Sequence, residues 1–95
     1  MTQKKEYNYR ILFSKQALKD AEKLKKSGLK EKTDKILNAM LRDPFIYPPN
    51  YEKLVGEYKD YYSRRINIQH RIVYKVDEQK KIIYIIRMWT HYEGI

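Results

Sequence analysis

Cysteine is absent from this chain, which excludes disulfides and thiolate metal clusters and permits a cytoplasmic setting. Long apolar runs are missing too. The longest, IIYII from Ile82 to Ile86, falls far short of the roughly 20 residues that a membrane-spanning helix needs. The N-terminal MTQKKEYNYR carries charge but is not followed by the apolar core of a secretory leader. No repeat, low-complexity tract or composition break marks a second domain, and 95 residues suit one domain, 1–95, with one modest core. With only two histidines and no carboxylates clustered near them, no metal site is expected. Acidic side chains are also in short supply: 12 Asp plus Glu face 21 Lys plus Arg, a formal charge of +9. That imbalance favours a polyanionic partner such as nucleic acid, or an acidic protein. What is present supports folding. The chain is 42% apolar and 14% aromatic, and its ten tyrosines suit a surface that is half buried and half wet.

YRILF, Tyr9 to Phe13, reads as a short strand of aromatic and branched residues. Ser14 can cap the helix that follows, in which Ala17, Leu18, Ala21 and Leu24 recur on one face and Ser27-Gly28 marks the end. A second helix spans roughly Leu29 to Leu41, with Thr33, Ile36, Leu37, Met40 and Leu41 on its apolar side. Asp43-Pro44 stops it, because the residue before proline is pushed out of the helical region. The loop PFIYPPNY holds all three prolines and reads as stiff. EKL, Glu52 to Leu54, can begin an edge strand, and three further extended segments lie near Tyr61–Ile68, His70–Val76 and Lys81–Trp89. DEQK, Asp77 to Lys80, supplies the turn between the last two. Strand, helix, helix and then several strands give an α+β fold, with a helical hairpin on one face of a mainly antiparallel sheet.

Period-two alternation sorts the strand residues. Arg64, Ile66 and Ile68 share one face, and Ser63, Arg65, Asn67 and Gln69 share the other. His70, Ile72, Tyr74 and Val76 oppose Arg71, Val73 and Lys75. The last segment is apolar on both faces and so reads as a covered, central strand. Two readings of the strand arginines stay open here. They can be solvated charges that discourage edge aggregation, or Arg65 and Arg71 can form a phosphate-binding floor, since guanidinium forks match phosphate oxygens. His91 can merely end its strand or can protonate a leaving alkoxide. Glu52 can be an ordinary surface carboxylate or can take a proton from a ribose 2′-hydroxyl. Trp89 and Tyr92 can pack or can stack on a base. His70, on the side of Ile72, suits a structural role.

As an ordered set, EKL, then YSRRINIQHRIVYKV, then WTHY resembles the YoeB/Txe toxins of the RelE-like superfamily over nearly the whole chain. The resemblance implies a two-helix, antiparallel-sheet fold and a ribosome-dependent endoribonuclease that cuts mRNA in the A site without a cofactor. It further implies a cognate acidic antitoxin of the YefM/Axe kind, and a homodimer is one possible assembly. By motif position it places the general base on Glu52, the phosphate-stabilising arginines on Arg65 and Arg71, and the terminal acid and its aromatic neighbour on His91 and Tyr92. Arg64 and Trp89 are the expected additional RNA contacts. Asp60 stands where family members commonly have glycine and Gln69 where they often have an acid, and Glu93-Gly94-Ile95 extends past the His-Tyr pair. Two other classes compete with this reading: a basic RNA-binding module that never cuts, and a fold relative that inhibits a DNA topoisomerase.

Overall fold

The structure, a computed structural model, describes residues 7–89. Strand β1 (Arg10–Phe13) leads into helix α1 (Lys15–Lys26) and helix α2 (Lys30–Arg42). Then follow β2 (Glu52–Lys53), a 3₁₀ turn at Gly56–Tyr58, β3 (Tyr62–Arg65), β4 (Arg71–Asp77) and β5 (Ile82–Arg87). The five strands form one sheet in the order β1-β5-β4-β3-β2. β1 runs parallel to β5 and every other pairing is antiparallel. This is the expected α+β fold. β5 is an interior strand, covered as its two-sided apolar pattern implied, and Glu52–Lys53 is an edge strand, with β1 at the opposite edge.

The helix ends follow from local chemistry. Ser14 Oγ accepts the Ala17 amide at 2.9 Å and donates to the Ile86 carbonyl at 2.8 Å, so one hydroxyl caps α1 and fastens it to β5. At the other end Gly28 adopts φ 77°, and the Gly28 and Leu29 amides bond back to the carbonyls of Lys25 and Leu24. This paired return closes a helix through a left-handed residue, the conformation glycine adopts at no steric cost. The chain therefore reverses at once into α2. Beyond α2, Asp43 Oδ1 accepts the Phe45 amide and turns the chain into the proline loop.

Ala17 and Leu24 of α1 and Ile36 and Met40 of α2 pack on Ile72, Tyr74, Ile83 and Ile85 of the sheet, with Ile66 and Met88 completing the core. The buried stripe of α1 is rotated from the expected one. Leu18 is 54% exposed, and Asp20 is fully buried in its stead. The cause lies at the far end of β5. Pairing between β4 and β5 skips a residue, from Val73↔Arg87 to Tyr74↔Ile85, and such a bulge re-aims the strand that carries it. Beyond it, Arg87 Nε and the Met88 amide both donate to Asp20 Oδ2 at 2.9 Å. Burial alone would raise the Asp20 pKa, but these bonds, with one from Gln16, hold it below the ordinary aspartate value.

The alternation in β3 holds only as far as the strand does. Arg64 and Ile66 are buried as paired, but Ile68, expected on their face, is 84% exposed. The ladder ends at Arg65, and Asn67 Oδ1 accepts the amides of Gln69 and His70. That side-chain turn lifts Ile68 onto the tip of the β3–β4 connection.

Candidate active site

Away from the helices, the β2–β3–β4 end of the sheet collects the charged residues that the sequence motifs single out. Register decides this. Glu52 lies opposite Ser63, Ser63 opposite Val73, and Arg65 opposite Arg71. Residues paired across a ladder, or two apart along a strand, share a face. Glu52, Ser63, Arg65 and Arg71 therefore point the same way, and the structure gathers three of the expected site residues in one place. Arg71 Nη1 approaches Glu52 Oε1 to 3.6 Å, with the Arg71 side chain 13% exposed and that of Glu52 63% exposed. The guanidinium is thus held within the wall while the carboxylate stays open to an incoming molecule. Arg65 is exposed. Ser63 Oγ and Arg71 Nε are both buried without a hydrogen-bond partner among the described residues.

The cleft above these residues has a volume of about 400 Å³ and is lined by Tyr47, Asn50, Tyr51, Glu52, Ser63, Arg65 and Arg71. Its second wall is the proline loop, and Arg64 builds that wall. Only 1% exposed, Arg64 reaches away from the cleft and donates from Nη1 to the Pro49 carbonyl at 2.7 Å. From Nη2 it donates to the carbonyls of Pro44 and Ile46 at 2.9 and 2.8 Å. Its guanidinium also lies 4.9 Å from the Tyr51 ring centroid. Phe45, Tyr51 and Tyr62 pack edge to face or tilted against one another, and Tyr62 stacks on Tyr74. Tyr74 donates its hydroxyl to the same Pro44 carbonyl at 2.9 Å. Burial pushes the Tyr74 pKa up to about 12, with the nearby Arg64 charge opposing the rise.

These contacts correct one expectation and reposition others. Arg64 is neither a solvated edge charge nor presented at the surface to RNA, because its guanidinium is buried against the carbonyls of Pro44, Ile46 and Pro49. Trp89 is partly buried against the core. Its ring lies 3.9 Å from that of His70 at 21°, with Lys23 Nζ 5.8 Å from the ring centroid. His70 is buried in that stack, consistent with the structural role expected of it. His91 and Tyr92 lie outside the described residues. Sequence reasoning missed Tyr47, Asn50, Tyr51 and Ser63 as cleft residues. The signal for the first three was proximity, since PFIYPPNY runs directly into Glu52. For Ser63 it was the strand register. Among the described residues no group of three or more His, Asp or Glu side chains is placed to hold a metal ion, and no helix is long and apolar enough to cross a membrane.

A small α+β domain with a carboxylate and two guanidinium groups on the open end of its sheet defines a class. Residues 13–92 match the YoeB-like toxins of bacterial type II toxin–antitoxin systems. The chain belongs to that family, as the ordered motifs implied. Toxin YoeB of Synechocystis is 36% identical over 58 residues, a match spanning 61% of this chain and 65% of the relative. The YoeB/ParE toxin from Agrobacterium tumefaciens superposes with a TM-score of 0.79 at 27% identity, over 87% of this chain and 99% of that one. The toxin of the heterotetrameric YoeB–YefM complex from Staphylococcus aureus superposes at 0.74 with 33% identity, over 88% and 98%. A YoeB dimer from the same organism gives 0.75 at 33%, over 90% and 99%.

Proposed function

We propose that this toxin is a ribosome-dependent endoribonuclease that cuts mRNA in the A site and so stops translation. The observation that carries the proposal is the convergence of Glu52, Arg65 and Arg71 on one cleft, with Glu52 and Arg71 3.6 Å apart. A carboxylate and a guanidinium that close can address neighbouring atoms of one phosphodiester unit. Glu52 takes the proton from a ribose 2′-hydroxyl. The freed oxygen attacks the adjacent phosphorus in line, and the bond from phosphorus to the 5′-oxygen breaks. Arg71, helped by Arg65, stabilises charge on the non-bridging oxygens, where preorganised donors are worth most. His91, beside Tyr92 in sequence, protonates the departing 5′-oxygen. The products are a 2′,3′-cyclic phosphate and a free 5′-hydroxyl. Because the nucleophile belongs to the substrate, RNA is cut and DNA spared.

Cleavage depends on the ribosome in this reading: the cleft is small and open, and ribosomal RNA both attracts the +9 chain and orders the message. The cognate partner is an acidic antitoxin segment drawn to the same basic face by complementary charge. The toxin–antitoxin complex and the toxin dimer of the Staphylococcus aureus relatives support a partner and a homodimer of those kinds.

The decisive experiment maps mRNA 5′ ends after pure protein is added to a translating extract. New 5′-hydroxyl ends within A-site codons are expected. Bound but intact messages would make the protein a non-cutting RNA-binding module, and DNA damage without translation arrest would assign it to topoisomerase inhibition. Equal cleavage of one transcript, naked and on programmed ribosomes, would remove the ribosome from the mechanism.

A further inference from the structure

Most aromatic side chains of the proline loop and its neighbours are spent on one another. Phe45, Tyr51, Tyr62 and Tyr74 form a continuous chain of ring contacts. Tyr47 takes part in none of them, is 70% exposed, and lines the cleft together with Glu52, Arg65 and Arg71. Its backbone is nonetheless well held. Arg64 grips the carbonyl of Ile46 just before it and that of Pro49 two residues after it. Prolines at 48 and 49 remove further freedom from the same segment. A large ring kept in water on a tethered loop, beside two guanidinium groups, offers a flat apolar face whose ordering cost has largely been met by folding.

We infer that Tyr47 is a base-stacking residue, which takes the face of a nucleobase flanking the phosphate held by Arg65 and Arg71. The chemistry selects this guest. The guanidinium groups fix a phosphate, a nucleotide's base lies within one sugar of its phosphate, and single-stranded RNA is bound through aromatic platforms of this kind. The inference rests on the proposed function and adds a substrate contact to it. It also moves the stacking role from Trp89, whose ring is engaged with His70, to the proline loop.

The test uses ribosomes programmed with a message whose attacking 2′-hydroxyl is methylated and whose base flanking the scissile phosphate is 2-aminopurine. The methyl group blocks cleavage, and stacking quenches the fluorophore. Wild-type protein and Tyr47→Phe should quench alike. Tyr47→Ala should lose the quench and raise the half-saturating concentration roughly 5- to 150-fold, the worth of one base–aromatic stack. On the unmodified message the same variant should shift half-saturation more than it shifts the saturated rate. Thermal unfolding of Tyr47→Ala at the wild-type temperature checks that the loop stays folded. Quenching and half-saturation indistinguishable from wild type in Tyr47→Ala overturn the inference. So does a variant that binds RNA normally but loses the antitoxin, since Tyr47 would then serve the partner. Failure of the wild type to cut the unmodified message strikes instead at the proposed function, and this inference falls with it.

Discussion

Arg64 and Tyr74 converge on one acceptor, the main-chain carbonyl of Pro44, each at 2.9 Å. One comes from β3 and the other from β4, so two adjacent strands jointly fasten the loop that forms a wall of the cleft. Three carbonyls of that loop depend on Arg64 alone or in part. Arg64→Ala should therefore lower stability by about 3 kcal/mol or more, given that hydrogen bonds to a charged group contribute roughly 1.5–3 kcal/mol each. Arg64→Lys should recover only part of this, because an ammonium cannot reproduce the planar fork that spans the carbonyls of Pro49 and Ile46. Urea unfolding of the three proteins measures it. A lysine variant as stable as wild type would mean that the positive charge, and not its geometry, holds the loop.

Tyr74 gives a pH test of the same cluster. Its folded pKa of about 12 lies above the ordinary value of 10. The sign follows from that order: below pH 10 both folded and unfolded chains hold the proton and the contribution is fully present. Between 10 and 12 the unfolded state deprotonates first, and stability falls. Over the whole window the loss is on the order of 2–3 kcal/mol. Tyr74→Phe should abolish this alkaline component. It should cost only about 1 kcal/mol at neutral pH, because Arg64 still donates to Pro44. Absorbance titration should show one tyrosinate signal near pH 12 that is missing from the variant. An unchanged alkaline limb in Tyr74→Phe would place the titration elsewhere.

Much of this arrangement could be read from the chain, and the remainder could not for definite reasons. Helix limits were legible because Ser14, Ser27-Gly28 and Asp43-Pro44 act through bonds to residues a few positions away. Period-two alternation correctly separated Arg64 from Arg65, adjacent residues with opposite fates. The fate of Arg64 was not legible. Its partners are carbonyls 15 to 20 residues earlier, in a loop whose path no local rule dictates. Likewise Leu18 looked better suited to the core than Asp20 until Arg87, 67 residues on, arrived beside it. Strand alternation and charge singled out Arg65 and Arg71 as a possible phosphate floor, and the family motif joined Glu52 to them. Their shared face needed only the strand register.

Asp20 supplies the acid-side counterpart. Its pKa is depressed, so its contribution is present above the ordinary aspartate pKa and is lost as pH falls through the folded value. Asp20→Asn should destabilise the fold by roughly 1.5–3 kcal/mol at neutral pH, because it removes the buried carboxylate to which Arg87 Nε and the Met88 amide both donate. It should also flatten the wild-type decline in acid. Paired urea titrations at pH 7 and pH 3 measure both effects. If the stability gap between the two proteins is as wide at pH 3 as at pH 7, the Asp20 carboxylate is not the group that titrates.

Substitutions at Arg71 and Lys19 separate the chemistry of the cleft from the general positive field. Arg71 touches Glu52 and is mostly buried, whereas Lys19 sits exposed on α1. At saturating ribosomes Arg71→Ala should slow single-turnover cleavage by about a hundredfold to a thousandfold, near 3–4 kcal/mol, which is the usual cost of removing one preorganised donor. Lys19→Ala should chiefly weaken association and reduce its salt dependence. Glu52→Gln should slow the same step while preserving shape. His91→Ala should also be slow, yet a substrate with a better 5′ leaving group should rescue it more than it rescues Arg71→Ala, because only the acid acts on that oxygen. A His91→Ala protein that cuts the ordinary message at the wild-type saturated rate would remove the acid from the mechanism. An Arg71→Ala protein impaired only in association would reduce Arg71 to one more charge on a basic face.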